Sequence, residues 1–299
     1  MPTKSPPARS PIRAFFEKSP RKVFRYKDLT AIFHDNRVGW DLPSAISFSE
    51  FLKLLLQEFP LSEIKLSLAY RPETVYVWGK ASPYAVALAA KPGSYLCHYT
   101  AMALHELTQQ IPRTIYVNVE QRPQKQPPGG LSQERIDLAM RRPQRTTSNV
   151  VKFGGFQIAY VNGKYTNRLG VITLSRDKEE LSTTGLERTL VDIAVRPAYA
   201  GGVGEVASAY ALAQERLSVN RLAAILRQLD YTYPYDQVVG YYLERAGYPA
   251  GAVNLFRERP FKFDFYLTYG MENTDYSERW RLYVPKGFNP LTSDATKLK

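Results

Sequence analysis

The sequence predicts an α+β fold in two parts: a small N-terminal module of three helices closed by a β-hairpin, and a larger mixed α/β unit behind it. Three observations predict it. From Met1 to Trp78 the chain orders as helix, short strand, helix, helix and two alternating β-rich runs. Turn residues at Gly79–Pro83 (GKASP) then interrupt the pattern, and beyond them helical and strand-like segments intermix as far as Pro285. At 299 residues the chain is also longer than a typical single domain, so two domains are expected.

In the N-terminal module a first helix fits Pro11 to Lys18, with proline in its first turn, and a second fits Lys27 to His34. A third opens at Ser47 in SFSEFLKLLLQEF, where Ser47 and Glu50 have the spacing of a capping box that satisfies two orphan amides. Phe48, Phe51, Leu52, Leu55 and Phe59 share one face of it, leaving Ser49, Lys53 and Gln57 on the other. IKLSLAY and TVYVW, separated by Arg71, Pro72 and Glu73, read as a hairpin with a basic tip. Three helices and a hairpin in this order match a winged helix-turn-helix.

The second unit is expected to carry a helix over Tyr99 to Thr108, a strand over Thr114 to Val119 and a helix over Gln133 to Arg142. In FQIAYVNGKY, Asn162-Gly163 is the dipeptide that type I′ hairpin turns favour, because both central residues need positive φ. From Thr184 to Gly247 the pattern is helical. Thr184 and Glu187 have capping-box spacing, and Leu186, Leu190 and Ile193 with Val191 and Val195 place apolar surface on two sides of one helix, as in a helix wedged between layers. Arg188, Asp192 and Arg196 form its polar stripe, the first two one turn apart and able to pair. Pro197 ends that helix, and Gly201-Gly202 turns the chain into the next. Val238, Val239, Tyr242 and Ala246 read as a core stripe between an Asp236 cap and a Gly247 stop. The expected boundaries are a flexible basic arm over 1–20, the small module over 21–80, the larger unit over 81–285 and a disordered tail over 286–299.

The net charge of +12 points to a polyanionic partner, nucleic acid before a membrane surface. Nine lysines and arginines against three acids lie between Met1 and Trp40, among them Arg21, Lys22 and Arg25. A basic run by itself is as often a solvated tail; the helices and hairpin that follow favour DNA. On that reading Ser49, Lys53 and Gln57 read the groove, while Lys65, the tip Arg71 and the basic arm with Arg21, Lys22 and Arg25 contact phosphates. The longest apolar runs, such as YAVALAA, fall far short of the roughly 20 residues needed to span a bilayer. The start, MPTKSPPARSP, lacks the apolar stretch of a secretory signal, and the single cysteine, Cys97, forms no internal disulfide, so a cytoplasmic location is expected.

Catalytic motifs are sparse, and no cofactor is expected. Cys97, His98 and His105 lack zinc-ligand spacing and suit packing or hydrogen bonding better. Gly154-Gly155 is not followed by the paired aspartates of a nucleotidyltransferase, and Gly201-Gly202 follows a helix where a phosphate loop follows a strand. Glu63-Ile64-Lys65 imitates the acid-x-lysine half of a nuclease site; as an alternative the chain is then a nuclease-like DNA-processing enzyme, although such tripeptides are common and a wing explains both residues. Tyr231, Tyr233 and Tyr235 suit a partner surface or a base-stacking platform, and Arg135, Arg141, Arg142 and Arg145 form a second basic patch, equally at home as a solvated helix end.

GLERTLVDIAVRPAYAGGV, SYLCHYTAMALHELTQQIPRTIYV, LSQERIDLAM and YTYPYDQVVGYYLERAGY together resemble the AbiEi antitoxins of bacterial toxin-antitoxin and abortive-infection systems, over roughly Arg21 to Pro285. The resemblance rests on whole segments and no catalytic signature. It implies a winged helix-turn-helix that represses its operon by binding inverted repeats in promoter DNA, as a monomer or weak dimer. It also implies a C-terminal antitoxin domain opposing a nucleotidyltransferase-fold toxin in the type IV manner, without a required lasting complex. Arg188, Asp192, Arg196, Tyr231, Tyr233 and Tyr235 are the residues expected to serve that second task.

Overall fold

The computed structural model describes residues 9–69, 71–123 and 130–289, and over them the chain is a mixed α+β protein. Its N-terminal module runs α1 (Arg9–Lys18), β1 (Val23–Arg25), α2 (Tyr26–Asn36), α3 (Phe48–Glu58), β2 (Leu61–Leu66) and β3 (Glu73–Trp78). β3 lies between β1 and β2, antiparallel to both. The Ser47–Glu50 capping box at α3 is present in both directions.

β3 is buried on both faces, and period-two alternation assigns each face a different partner. Tyr76 and Trp78 join Phe16, Phe24, Phe33, Trp40, Phe51 and Leu55 in an aromatic core, where Phe16 stacks on Trp78 at 4.5 Å. Val75 and Val77, with Val23, Leu66 and Leu68, point the other way into a core shared with the second unit. The Gly79–Pro83 junction is therefore a change of element and not a break in packing. The division at residue 20 needs correction as well: residues 9–18 are not a loose arm but a helix whose Ile12 and Phe16 are fully buried in the aromatic core. Residues 1–8 of the expected arm lie outside the described residues.

The second unit opens with α4 (Pro83–Ala90), capped by Ser82, which packs on that shared core. It continues through β4 (Tyr95–Leu96), α5 (His98–Leu104), β5 (Thr114–Glu120), α6 (Gln133–Met140), β6 (Val150–Phe153), β7 (Phe156–Gly163), β8 (Val171–Arg176) and β9 (Glu179–Thr184). These strands form one mixed sheet in the order β6-β7-β5-β4-β9-β8, with parallel pairs β7/β5 and β4/β9. The turn assigned to Asn162-Gly163 is not there: both residues sit in β7, opposite Val119 and Glu120. Gly154-Gly155 makes the hairpin between β6 and β7, with φ of 54° and 82° and Phe153 facing Phe156. Gly163 is small for a different reason, since a Cβ there would lie 2.2 Å from Asn118 Oδ1.

α7 (Leu186–Val195), α8 (Val203–Leu212), α9 (Val219–Leu229), α10 (Tyr235–Arg245) and α11 (Ala250–Asn254) build the helical layer. α7 is its centre, with every residue from Glu187 to Val195 buried. Its N-cap is Gly185, not Thr184; the Thr184 hydroxyl instead meets that of Thr189 at 2.7 Å, so no Thr184–Glu187 capping box forms. Asp236 likewise lies inside α10, whose N-cap is Pro234, whereas Gly247 ends the helix as expected with φ 76°. A small sheet of β10 (Phe265–Tyr266), β12 (Leu282–Pro285) and β11 (Thr274–Ser277), in that order, closes the fold. Here Gly240 of α10 makes room for Trp280: a Cβ would stand 2.2 Å from its ring. Residues 286–289 continue this unit, Lys286 N donating to Asn273 O and Gly287 N to Asp275, while 290–299 of the expected tail lie outside the described residues.

Candidate functional sites

The solvent face of α3 carries Ser49, Lys53 and Gln57 exposed, because Phe51, Leu55 and Phe59 take the opposite face into the aromatic core. Lys65 on β2 is exposed and lies 3.8 Å from Glu63 of the same strand. Arg71 is exposed beyond the end of β2 and shares Glu73 with Lys91, at 3.1 and 2.8 Å. Burial raises the Glu73 carboxyl, but the bonds from Lys91 and Arg71 outweigh it and hold it below the ordinary range. The first three basic candidates have partners within the module: Arg21 binds Asp28 and the Val23 carbonyl, Lys22 caps α1 through the carbonyls of Phe16 and Glu17, and Arg25 Nε lies 3.6 Å from the Asp28 carboxylate.

All six residues assigned from sequence to the second unit's task line one cavity of about 290 Å³: Arg188, Asp192, Arg196, Tyr231, Tyr233 and Tyr235. Three elements bring them there. α7 supplies Arg188 and Asp192 from its inner face and Arg196 at its C-cap, the segment before α10 supplies Tyr231 and Tyr233, and α10 opens with Tyr235. β5 and the end of β7 form the opposite wall with Asn118, Val161 and Gly163, and Lys164 and Thr166 follow.

Arg188 is spent largely on structure. Its Nε donates to Asp192 Oδ1 at 2.8 Å, and its terminal nitrogen reaches the Leu169 carbonyl and the Thr166 hydroxyl. A helix buried on all sides can hold this charge only with such partners. Burial pushes the Asp192 carboxyl up, opposed by Arg188 and Arg196, while the pairing holds Arg188 firmly protonated. Thr166 is itself fixed by Glu120, which also accepts from Tyr95, and Tyr95 in turn accepts from Asn118. Lys164 donates to the carbonyls of Leu229 and Asp230, at 2.7 and 2.6 Å, and stands 5.8 Å over the Tyr231 ring, so it secures the end of α9 and the approach to Tyr231.

Arg196 differs from these. Half-buried, its side chain makes no hydrogen bond or ion pair among the described residues; it stands 5.9 Å from the Tyr199 ring and acts on the Asp192 carboxyl through its field alone. His98 lies on the wall with Nδ1 3.0 Å from Cys97 Sγ; burial, then the fields of Arg196 and Arg188, lower its pKa to about 3 and keep it neutral. His105 bonds the Thr184 carbonyl at 2.7 Å, so the two histidines serve separate hydrogen bonds. Among the described residues no three His, Cys, Asp or Glu side chains group as metal ligands would. Tyr231 and Tyr235 stay protonated because burial raises both, and Tyr235 bonds Tyr269. The arrangement is a polar cavity with excess positive charge and phenolic donors, suited to an anionic ligand.

The sequence reading missed Lys164, Asn118 and Tyr269, and it gave His98 the packing and hydrogen-bonding role it has without placing it at this cavity. Only Lys164 carried a local signal, the charge directly after Asn162-Gly163. No helix among the described residues is long and apolar enough to cross a membrane.

Among solved structures the chain is similar to the RV2827C protein from Mycobacterium tuberculosis, with a TM-score of 0.54 and 16% identity, covering 92% of this chain and 90% of that one. At that identity the likeness concerns the fold alone. No family model and no curated protein matches the chain.

Proposed function

We propose that the protein is an antitoxin that represses its own operon: its N-terminal module binds promoter DNA as a winged helix-turn-helix, and its larger unit opposes a nucleotidyltransferase-fold toxin. The observation carrying the first half is the capped helix α3, which presents Ser49, Lys53 and Gln57 to solvent in a module whose hairpin carries exposed Lys65 and Arg71. Such a helix, packed by its apolar face and free on its polar one, is what a major groove admits. Lys53, Lys65 and Arg71 are the phosphate contacts, and Gln57 is the base reader. The second half rests on the AbiEi resemblance and on the gathering of the six expected residues at one cavity.

Binding of full-length protein to DNA from upstream of its gene tests this reading. Lys53→Ala and Arg71→Ala weaken binding and each lowers the salt slope by about one, whereas Gln57→Ala relaxes sequence preference. Unchanged binding in all three variants sinks the assignment. Neutralisation is tested in cells expressing the neighbouring toxin, with point variants of the full chain. Removing residues 1–80 would uncover the Val75 and Val77 face of the shared core and confuse folding with function. Rescue by the wild type and its loss in folded Arg196→Ala supports the antitoxin role; no rescue by the wild type refutes it.

A further inference from the structure

Beside the cavity described above lies a second, of about 420 Å³, and the two share Arg196, Tyr233 and Tyr269 in their walls. Arg135, Arg142 and Arg145 complete the charged lining of the outer one, so four arginines face it with no carboxylate among them. Arg142 and Arg145 have no hydrogen bond or ion pair to any described residue, and Arg135 spends one nitrogen on the Gly130 carbonyl. The Gln144 side-chain nitrogen, on the same wall, is buried without an acceptor.

The end of α6 explains part of this, because basic side chains are favourable near a helix C-terminus. It explains Arg142. It does not explain Arg145, further along the chain, or Arg196, which arrives from α7 and is also left unpaired. Like charges converging from two elements repel one another; water and salt screen this at exposed Arg142 and Arg145, a bound anion relieves it at half-buried Arg196, and arginine forks match phosphate oxygens. The inner cavity offers a different surface at the shared boundary. Tyr233 is stacked on Phe265 at 5.8 Å, which fixes its ring, and Tyr231 and Tyr269 line the inner cavity with it. Rigid aromatic rings beside a cluster of arginines are the two halves of nucleotide recognition, a stacking face for a base and forks for its phosphates. Both volumes lie within reach of small-ligand sites.

We propose that this double cavity binds a nucleoside phosphate, free or as the 5′ end of an RNA strand, with phosphates at Arg142, Arg145 and Arg196 and the base against Tyr233 and Tyr269. The site is separate from the face of α3, and the inference does not depend on operator binding or toxin neutralisation.

Titration calorimetry on the full chain without DNA tests it. The probes are the four ribonucleoside triphosphates, a 5′-phosphorylated tetraribonucleotide, and inorganic tripolyphosphate as an anion without a base. Binding of a triphosphate or the tetranucleotide is expected, with tripolyphosphate at least about tenfold weaker; which of the first two binds tighter identifies the source of the ligand. The exposed double variant Arg142→Ala/Arg145→Ala and the single Arg196→Ala each lose at least about tenfold in affinity while keeping the ligand-free melting temperature, and Arg196→Lys retains more than Arg196→Ala. Lys53→Ala leaves nucleotide affinity unchanged, so failure of the DNA-binding reading leaves this readout intact. No binding of any nucleotide at about 1 mM, equal binding of tripolyphosphate, or undiminished binding in the arginine variants overturns the proposal.

Discussion

Arg188 Nε lies 2.8 Å from Asp192 Oδ1, one helical turn away, with the two side chains only 5% and 7% exposed. A buried pair of this kind contributes little net stability as a pair, yet each charge depends on the other to remain in the core.

Removing one partner therefore costs more than removing both. Arg188→Ala leaves the Asp192 carboxylate unpaired and should destabilise the fold by about 3–5 kcal/mol, while Arg188→Met/Asp192→Leu should cost clearly less. Urea unfolding of the full chain measures both. A single variant within about 0.5 kcal/mol of the wild type would mean that the pair is solvated and the helix not buried as described.

His98 makes stability fall on mild acidification. Its pKa is about 3 in the fold against 6.5 in the unfolded chain, so below pH 6.5 the unfolded state takes up a proton that the native state refuses. The contribution is fully present above that pH and is lost as pH drops towards 3, with a limiting slope of about 1.4 kcal/mol per pH unit. Between pH 5 and 6.5, roughly above the carboxylate range, His98→Asn should flatten this slope. Asparagine is chosen because residue 98 has φ 49°, which it tolerates better than most. Parallel pH profiles for variant and wild type would show that another group titrates.

The β6–β7 hairpin should accept Gly154→Asn and resist Gly155→Val. Both turn residues have positive φ, and Asn-Gly satisfies a type I′ turn whereas a β-branched residue at 82° does not. Gly154→Asn is expected within about 0.5 kcal/mol of wild type and Gly155→Val to cost more than about 1 kcal/mol, both read from thermal or urea melts. Equal costs would place the turn elsewhere.

Sequence by itself determined what depends on neighbours a few residues apart. The Ser47–Glu50 box, the outward face of α3, the pairing of Arg188 with Asp192 and the stop at Gly247 all follow from spacings of three or four residues or from one backbone angle. The same signals failed where a distant partner competes. Asn162-Gly163 has turn composition, but pairing with β5 keeps it extended, and Gly163 is glycine because Asn118 lies against it. Thr184 loses its capping role because its hydroxyl is taken by Thr189 while Gly185 adopts the cap position. The cavity was legible only as scattered parts. The stripe Arg188, Asp192 and Arg196 and the set Tyr231, Tyr233 and Tyr235 stood out as two groups, but their meeting with Asn118, Lys164 and Tyr269 depends on the sheet order β7-β5-β4-β9 and on α7 lying buried behind it. The unpaired state of Arg196 was beyond reach for the same reason. Whether a charge finds a partner beyond its own helical turn is decided by what packing carries to within a few ångströms of it, and spacing along the chain holds no record of that.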